Sequence, residues 1–137
     1  MGLPRYRDWL ARLDYGNREP GTVVDRFWLE GPLRISAIEE ARFNARLARK
    51  ALPASTLAQT LVHDIIRLER AGGATVYGKT GWYVQRGQTS IGWWTGWVER
   101  GSRIHAFTLN MDMPQMAMAP RRLAIGRAIL KQLGLYG

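Results

Sequence analysis

The segment Ile91-Gly92-Trp93-Trp94-Thr95-Gly96-Trp97-Val98 constrains the fold more than any other stretch of the chain. Successive side chains of a strand point to opposite faces of its sheet. Ile91, Trp93, Thr95 and Trp97 then share one face, and Gly92, Trp94, Gly96 and Val98 the other. Large apolar groups stand on both faces, so both need cover. A sheet with one open face is excluded.

The rest of the chain offers that cover. Arg5 to Leu13 reads as a short helix, with Tyr6, Trp9, Leu10 and Leu13 near helical spacing. Ser36 and Glu39 have capping-box spacing and open a second helix. Its apolar stripe is Ile38, Ala41, Ala45, Ala48 and Leu52, and Pro53 is read as its stop. A third helix starts near Ser55 or Thr56, with Leu57, Leu61, Ile65 and Leu68 as the expected buried stripe and Gly72-Gly73 as its end. Three strands follow: Ala74 to Val84, the tryptophan-rich strand, and Ile104 to Met111, which pairs with it across the turn at Arg100-Gly101-Ser102. Met113 to Pro120 reads as a loop and Arg121 to Leu133 as a terminal helix. Helices followed by strands give an α+β fold with a three-stranded antiparallel sheet. The expected division is a helical piece over residues 1–73 and a sheet with its C-terminal helix over 74–137.

Composition narrows the function classes. The chain has 137 residues, no cysteine and a net charge of +9. Thiolate metal sites and disulfides are excluded. The 17 arginines and 3 lysines are scattered without a long basic run, which speaks against a nucleic-acid partner. No apolar run approaches the roughly 18 residues of a membrane span. Met1 to Asp8 lacks the apolar segment of a signal peptide. His63 and His105 have no second ligand at metal spacing, so no metal site is expected.

Several short motifs could carry chemistry. Lys79-Thr80-Gly81 sits within a strand. A glycine there lets a ligand approach the backbone, and the ammonium suits a substrate carboxylate or a developing negative charge. By itself the tripeptide is a weak signal and reads first as a solvent-facing lysine on a strand edge. Tyr15-Gly16-Asn17 is either a turn after a helix or a loop aiming an amide at a ligand. Arg121-Arg122 opens the last helix, where the dipole disfavours cations, so an anion nearby would explain the pair. Arg42, Arg46 and Arg49 read as a solvated basic face.

Taken in order, these motifs form a set. Tyr15-Gly16-Asn17, Phe27-Trp28-Leu29-Glu30-Gly31-Pro32-Leu33-Arg34-Ile35-Ser36-Ala37, Lys79-Thr80-Gly81-Trp82 and Trp93-Trp94-Thr95-Gly96-Trp97-Val98-Glu99 resemble the class D (oxacillinase-type) serine β-lactamases in order and spacing, over nearly the whole chain. The resemblance implies the C-terminal part of the serine β-lactamase, penicillin-recognising fold. It implies that Lys79 and Thr80 line the pocket with Gly81, and that the Thr80 hydroxyl holds the carboxylate of the β-lactam. The backbone N–H of Trp82 becomes one of two oxyanion-hole donors. Arg122, with Arg121 one register away, matches the family's carboxylate-binding arginine. Trp28 donates its indole N–H to the family's general base, a carboxylated lysine, and Leu29 walls off the deacylating water. The stretch Trp82 to Gln88 shapes the β-lactam spectrum.

One departure stands out. The family attacks through the serine of Ser-x-x-Lys. Three residues after Ser36, Ser55, Ser90 and Ser102 stand Glu39, Ala58, Trp93 and His105, and none is lysine. The Ser-x-Val motif and the lysine that is carboxylated are absent too, so no cofactor is expected in this chain. The expectation is therefore a truncated, half-complete site, inactive alone, with a β-lactam and the family's N-terminal half in trans as partners. By resemblance the whole protein is periplasmic, with its export signal outside this sequence. Two alternatives remain: a β-lactam sensor domain that is acylated without turnover, and a basic nucleic-acid-binding module.

Overall fold

The computed structural model describes residues 2–84 and 90–137. Met1 and residues 85–89 lie outside it, and with them part of the Met1 to Asp8 and Trp82 to Gln88 stretches read above. The order of elements is α1 (Leu3–Leu13), α2 (Ala37–Ala48), α3 (Thr56–Ile66), β1 (Arg67–Ala71), β2 (Ala74–Trp82), β3 (Ser90–Arg100), β4 (Arg103–Met113), a short 3₁₀ turn (Met116–Met118) and α4 (Arg121–Gln132). The strands form one antiparallel meander in the order β1-β2-β3-β4. The fold is α+β as expected, with four strands instead of three.

The extra strand corrects the reading of the third helix. That helix ends at Ile66, and Arg67–Ala71 turns back as β1 to pair with β2. Gly72 and Gly73, both at positive φ, make the hairpin rather than a helix end. The sheet thus begins at Arg67, inside the stretch assigned to helices.

Both faces of β3 are covered. Trp94 and Val98 pack with Val76, Ala74 and Leu130 of α4 on one face. Trp97 packs with Leu47, Ala48 and Leu52 from α2 and its following turn on the other. Trp94 and Trp97 are completely buried. Trp97 stacks on Tyr77 with ring centroids 4.9 Å apart and touches the His63 ring at 4.8 Å.

Two helical stripes differ from expectation. Ser36 caps α2 in a full capping box, but the face it turns inward is Glu40, Asn44, Leu47 and Ala48, and Ile38 remains 65% exposed. The helix stops at Ala48, well before Pro53, and Lys50 adopts left-handed backbone. Leu57, Leu61 and Ile65 of α3, and Leu68, which falls in β1, are exposed rather than buried. The inward residue is Gln59, whose amide bonds the backbone of Leu52 and Ala54. His63 Nε2 meets the Leu47 carbonyl at 2.9 Å. These polar groups satisfy the α2–α3 turn, and that need sets the rotation of α3.

Gly126 lets α4 reach the sheet. A Cβ there would lie 2.3 Å from Cε3 of Trp94. Alanine in a helix normally gains about 1 kcal/mol over glycine. Here the rigid, buried indole cannot give way. Gly126→Ala should therefore destabilise the protein by about 1–3 kcal/mol in denaturant unfolding. A gain in stability would refute the packing described.

Candidate active site

β1 reaches along β2 only to Tyr77, the partner of Arg67. From Gly78 to Trp82, β2 pairs with β3 alone among the described residues. Lys79, Thr80 and Gly81 stand on this free stretch. A strand edge presents backbone groups to whatever lies beside it. What lies beside it is an open cleft of about 690 Å³. Lys79, Thr80 and Gly81 border it from the sheet, Trp28 and the Leu33-Arg34-Ile35 segment from the loop before α2, and Tyr15, Glu40, Trp93 and Thr95 also line it.

Lys79 is exposed, and its ammonium donates to the Thr80 carbonyl. The remaining N–H groups of an ammonium stay available. Thr80 is half-buried. Trp82 donates its indole N–H to Ser90 Oγ at 2.7 Å. Arg122 reaches back from the first turn of α4 and donates from Nη1 to the Gly81 carbonyl at 2.9 Å. Its guanidinium lies 5.8 Å from the centre of the Trp82 ring, and its Nε is buried without a partner. Arg121 is exposed and makes no such contact among the described residues. Of the two neighbouring arginines, Arg122 is the one at the Lys79-Thr80-Gly81 strand.

Trp28 stands at the cleft, 52% exposed, with its ring edge-on to the buried Phe27 at 4.9 Å. Leu29 follows it, 43% exposed, and is not among the residues bordering the cleft. The loop that carries them is held from Tyr15-Gly16-Asn17. Asn17 donates from Nδ2 to the Pro32 carbonyl at 2.8 Å and accepts at Oδ1 from the Arg34 N–H at 3.0 Å. Its own N–H donates to the Arg34 carbonyl at 2.9 Å. Gly16 has φ +53°, and a Cβ there would lie 2.1 Å from that carbonyl. The amide is thus used on the loop backbone, and the glycine permits the approach. A second tie comes from just past the end of β2: Tyr83 donates to Glu30 Oε1 at 2.7 Å, and Arg26 donates to the same oxygen. Both bonds hold the Glu30 carboxyl below its usual range.

A buried polar network borders the same cleft, and sequence reasoning missed it. Tyr15 donates to Glu40 Oε2 at 2.7 Å. Asn44 donates to the Glu40 carbonyl at 2.9 Å and to Thr95 Oγ1. Thr95 Oγ1 lies 2.9 Å from Thr108 Oγ1. Burial is the main cause that pushes the Glu40 carboxyl up, against the bonds from Tyr15, Asn44 and Thr95. Burial and then Glu40 push the Tyr15 hydroxyl up. The signal in the sequence is Glu40 and Asn44 at i, i+4 in line with Leu47.

Among the described residues no serine borders the cleft. Ser36 and Ser55 cap α2 and α3. Ser90 accepts from Trp82, and Ser102 lies in the exposed β3–β4 turn. Arg42 is exposed, whereas Arg46 is half-buried and donates to the Leu13 carbonyl, so the basic face of α2 is only partly solvated. No group of three metal-binding side chains occurs among the described residues. No helix of the described residues is long and apolar enough to cross a membrane.

Residues 1–133 match the family model described as the penicillin binding protein transpeptidase domain. The chain is 36% identical to Beta-lactamase OXA-5 of Pseudomonas aeruginosa, over 98% of this chain and 51% of that protein. It is 39% identical to Beta-lactamase OXA-48 of Klebsiella pneumoniae, over 96% and 49%. The crystal structure of FUS-1 (OXA-85), a class D β-lactamase from Fusobacterium nucleatum subsp. polymorphum, superposes with a TM-score of 0.92 at 37% identity, over 98% of this chain and 55% of that one. The chain spans about half the length of the curated relatives it matches.

The loop geometry is testable. Asn17→Ala removes side-chain hydrogen bonds worth about 0.5–1.5 kcal/mol each. Cleavage of residues 18–35 by a nonspecific protease should speed up, and more so for Gly16→Ala, which adds backbone strain to a forced contact. Unchanged protease resistance in both variants would show that this clamp does not hold the loop.

Proposed function

The chain belongs to the penicillin binding protein transpeptidase domain family, where its relatives are class D β-lactamases, and from this we propose that it forms the substrate-holding side of an enzyme that hydrolyses β-lactam antibiotics. The observation that carries the reading is the free stretch of β2, where Lys79, Thr80 and Gly81 face the Trp28 loop across one cleft with Arg122 bonded to the same strand.

A β-lactam carries a carboxylate and an amide that must be attacked. Arg122 holds the strand by one N–H and keeps further donors for an anion. With the Thr80 hydroxyl it takes the carboxylate. Lys79 adds positive charge beside the reacting carbonyl, where negative charge develops, and the Trp82 N–H supplies one oxyanion-hole donor. Trp28 gives its indole N–H to the carboxylated lysine of the family, and Leu29 shields the deacylating water. The nucleophilic serine, the carboxylated lysine and the second oxyanion donor come from polypeptide outside these residues. The length of the relatives supports this, as does the structural work of Ser36, Ser55 and Ser90, with Ser102 in an exposed turn away from the cleft. These 137 residues are then inactive alone, and the whole protein works in the periplasm. The cleft takes no nucleic acid.

The test is hydrolysis of a chromogenic cephalosporin, by these 137 residues alone and with the N-terminal half of a class D relative added in trans. Turnover only in the mixture is expected. Turnover by the chain alone would refute the half-site. An acyl adduct that forms in the mixture and persists would favour a sensor domain. In the active species, Arg122→Ala should raise KM by about tenfold or more, the loss of one charged hydrogen bond, and Arg121→Ala by less than about threefold. Equal effects would remove Arg122 from the site.

A further inference from the structure

Glu39 and Glu40 are adjacent, and the structure uses them differently. Glu39 closes the capping box of α2 at the surface. Glu40, one residue on, is only 8% exposed and points into the protein. Its network joins three parts of the fold. Tyr15 belongs to the loop after α1 and Asn44 to the next turn of α2, and Asn44 in turn bonds Thr95 of β3. Thr95 stands directly opposite Lys79 in the β2–β3 ladder. Residues so paired share a face, with Cβ atoms roughly 4.5–5.5 Å apart. Two hydrogen-bonded steps therefore join Glu40 to the residue abreast of Lys79.

We propose that Glu40 is a positioning residue of this site: by joining Tyr15 to Asn44 and Thr95 it keeps the loop, α2 and the sheet in register beside Lys79. The proposal deepens the β-lactam reading and rests on it for its kinetic readout alone. Tyr15-Gly16-Asn17 gains a second purpose from it. Asn17 fixes the Trp28 loop, while Tyr15 fixes the same segment to α2.

The chemistry favours an uncharged group at this point. No cation bonds to Glu40 among the described residues. Tyr15 faces it from the loop, Asn44 from α2 and Thr95 from β3, and the cations that share its cleft are Lys79 and Arg34. Burial pushes its carboxyl above the ordinary carboxylate range, which disfavours the charged form. Once ionised, it would compete for Lys79 and Arg34. A group raised in this way contributes stability fully below the unfolded carboxyl value, and that contribution is lost as pH rises through its folded value. Glutamine has the same shape and never ionises, and Asn44 can turn its amide to meet it.

The experiment uses the full-length polypeptide that carries these residues. Parent, Glu40→Gln and Glu40→Ala are compared from about pH 4 to pH 9 by hydrolysis of a chromogenic cephalosporin, thermal unfolding and the rate at which an amine reagent labels Lys79. Glu40→Ala should lower kcat by about tenfold or more with a smaller change in KM, and Glu40→Gln should restore it to within about threefold. The parent should lose stability relative to Glu40→Gln as pH climbs above the ordinary carboxyl range. A Gln variant as slow as the Ala variant would overturn the proposal, since the charge itself would then be needed. A fully active Ala variant would overturn it too. If the parent hydrolyses no β-lactam, the functional reading fails and the labelling of Lys79 decides. A change in Glu40→Ala that Glu40→Gln reverses supports positioning, and equal rates in all three proteins overturn it.

Discussion

Trp94 and Trp97 point to opposite faces of β3, and neither keeps any contact with solvent. Each indole is among the largest apolar groups a chain can bury, about 150–250 Å². At about 25 cal/mol per Å² that is an upper estimate of some 4–6 kcal/mol each. The sheet therefore needs a layer on either side. α4 supplies one, brought to van der Waals range by Gly126, and α2 with α3 the other. The site follows from this arrangement. β2 pairs with β3 through nine consecutive positions, so Lys79 lies abreast of Thr95. The start of α4 falls where Gly92 leaves room, and there Arg122 meets the strand.

What could be read from the sequence was local. The Ser36–Glu39 box, the Ser55 cap and the Gly101-Ser102 turn each depend on a few adjacent residues, and each stands in the structure where its residues placed it. The alternation of the tryptophan strand was equally legible, because period-2 patterning needs no partner to be seen. The misread parts depend on distant partners. Arg67–Ala71 has no alternation of its own and becomes a strand because β2 lies beside it. Leu57, Leu61 and Ile65 form a clean helical stripe, yet bonds to backbone carbonyls of Leu47, Leu52 and Ala54 at the end of α2 and in the turn after it hold His63 and Gln59 inward instead. Apolar periodicity finds a buried face only when no polar demand competes for it.

The same competition explains why the buried face of α2 carries Glu40 and Asn44. An apolar pair there would strengthen packing against the sheet, but would leave the Tyr15 hydroxyl without its partner and take from Thr95 the bond that Asn44 donates. A buried polar group without a partner costs about 1–3 kcal/mol, whereas a satisfied one is close to neutral. The network is thus weak evidence for stability. It is better evidence for orientation, since hydrogen bonds fix distance and direction where apolar contacts do not.

The open edge beside Lys79 has a cause in chain length. α3 ends at Ile66, and the Gly72-Gly73 hairpin returns the chain after only five residues of β1. β2 has nine residues. A five-residue strand across a two-residue turn would reach Gly78 in regular register, and the shift between Glu69 and Arg67 stops it at Tyr77, so among the described residues the last part of β2 is left uncovered on that side. That uncovered part is Gly78 to Trp82, which holds every residue of the Lys79-Thr80-Gly81 motif. An exposed strand edge is ordinarily a liability, because it invites pairing with another chain. Here it is short, carries a lysine, and is overlooked by the Trp28 loop, which leaves room for a small ligand but poorly admits a strand. The mismatch between two strand lengths leaves an open edge beside the cleft, where the candidate site lies.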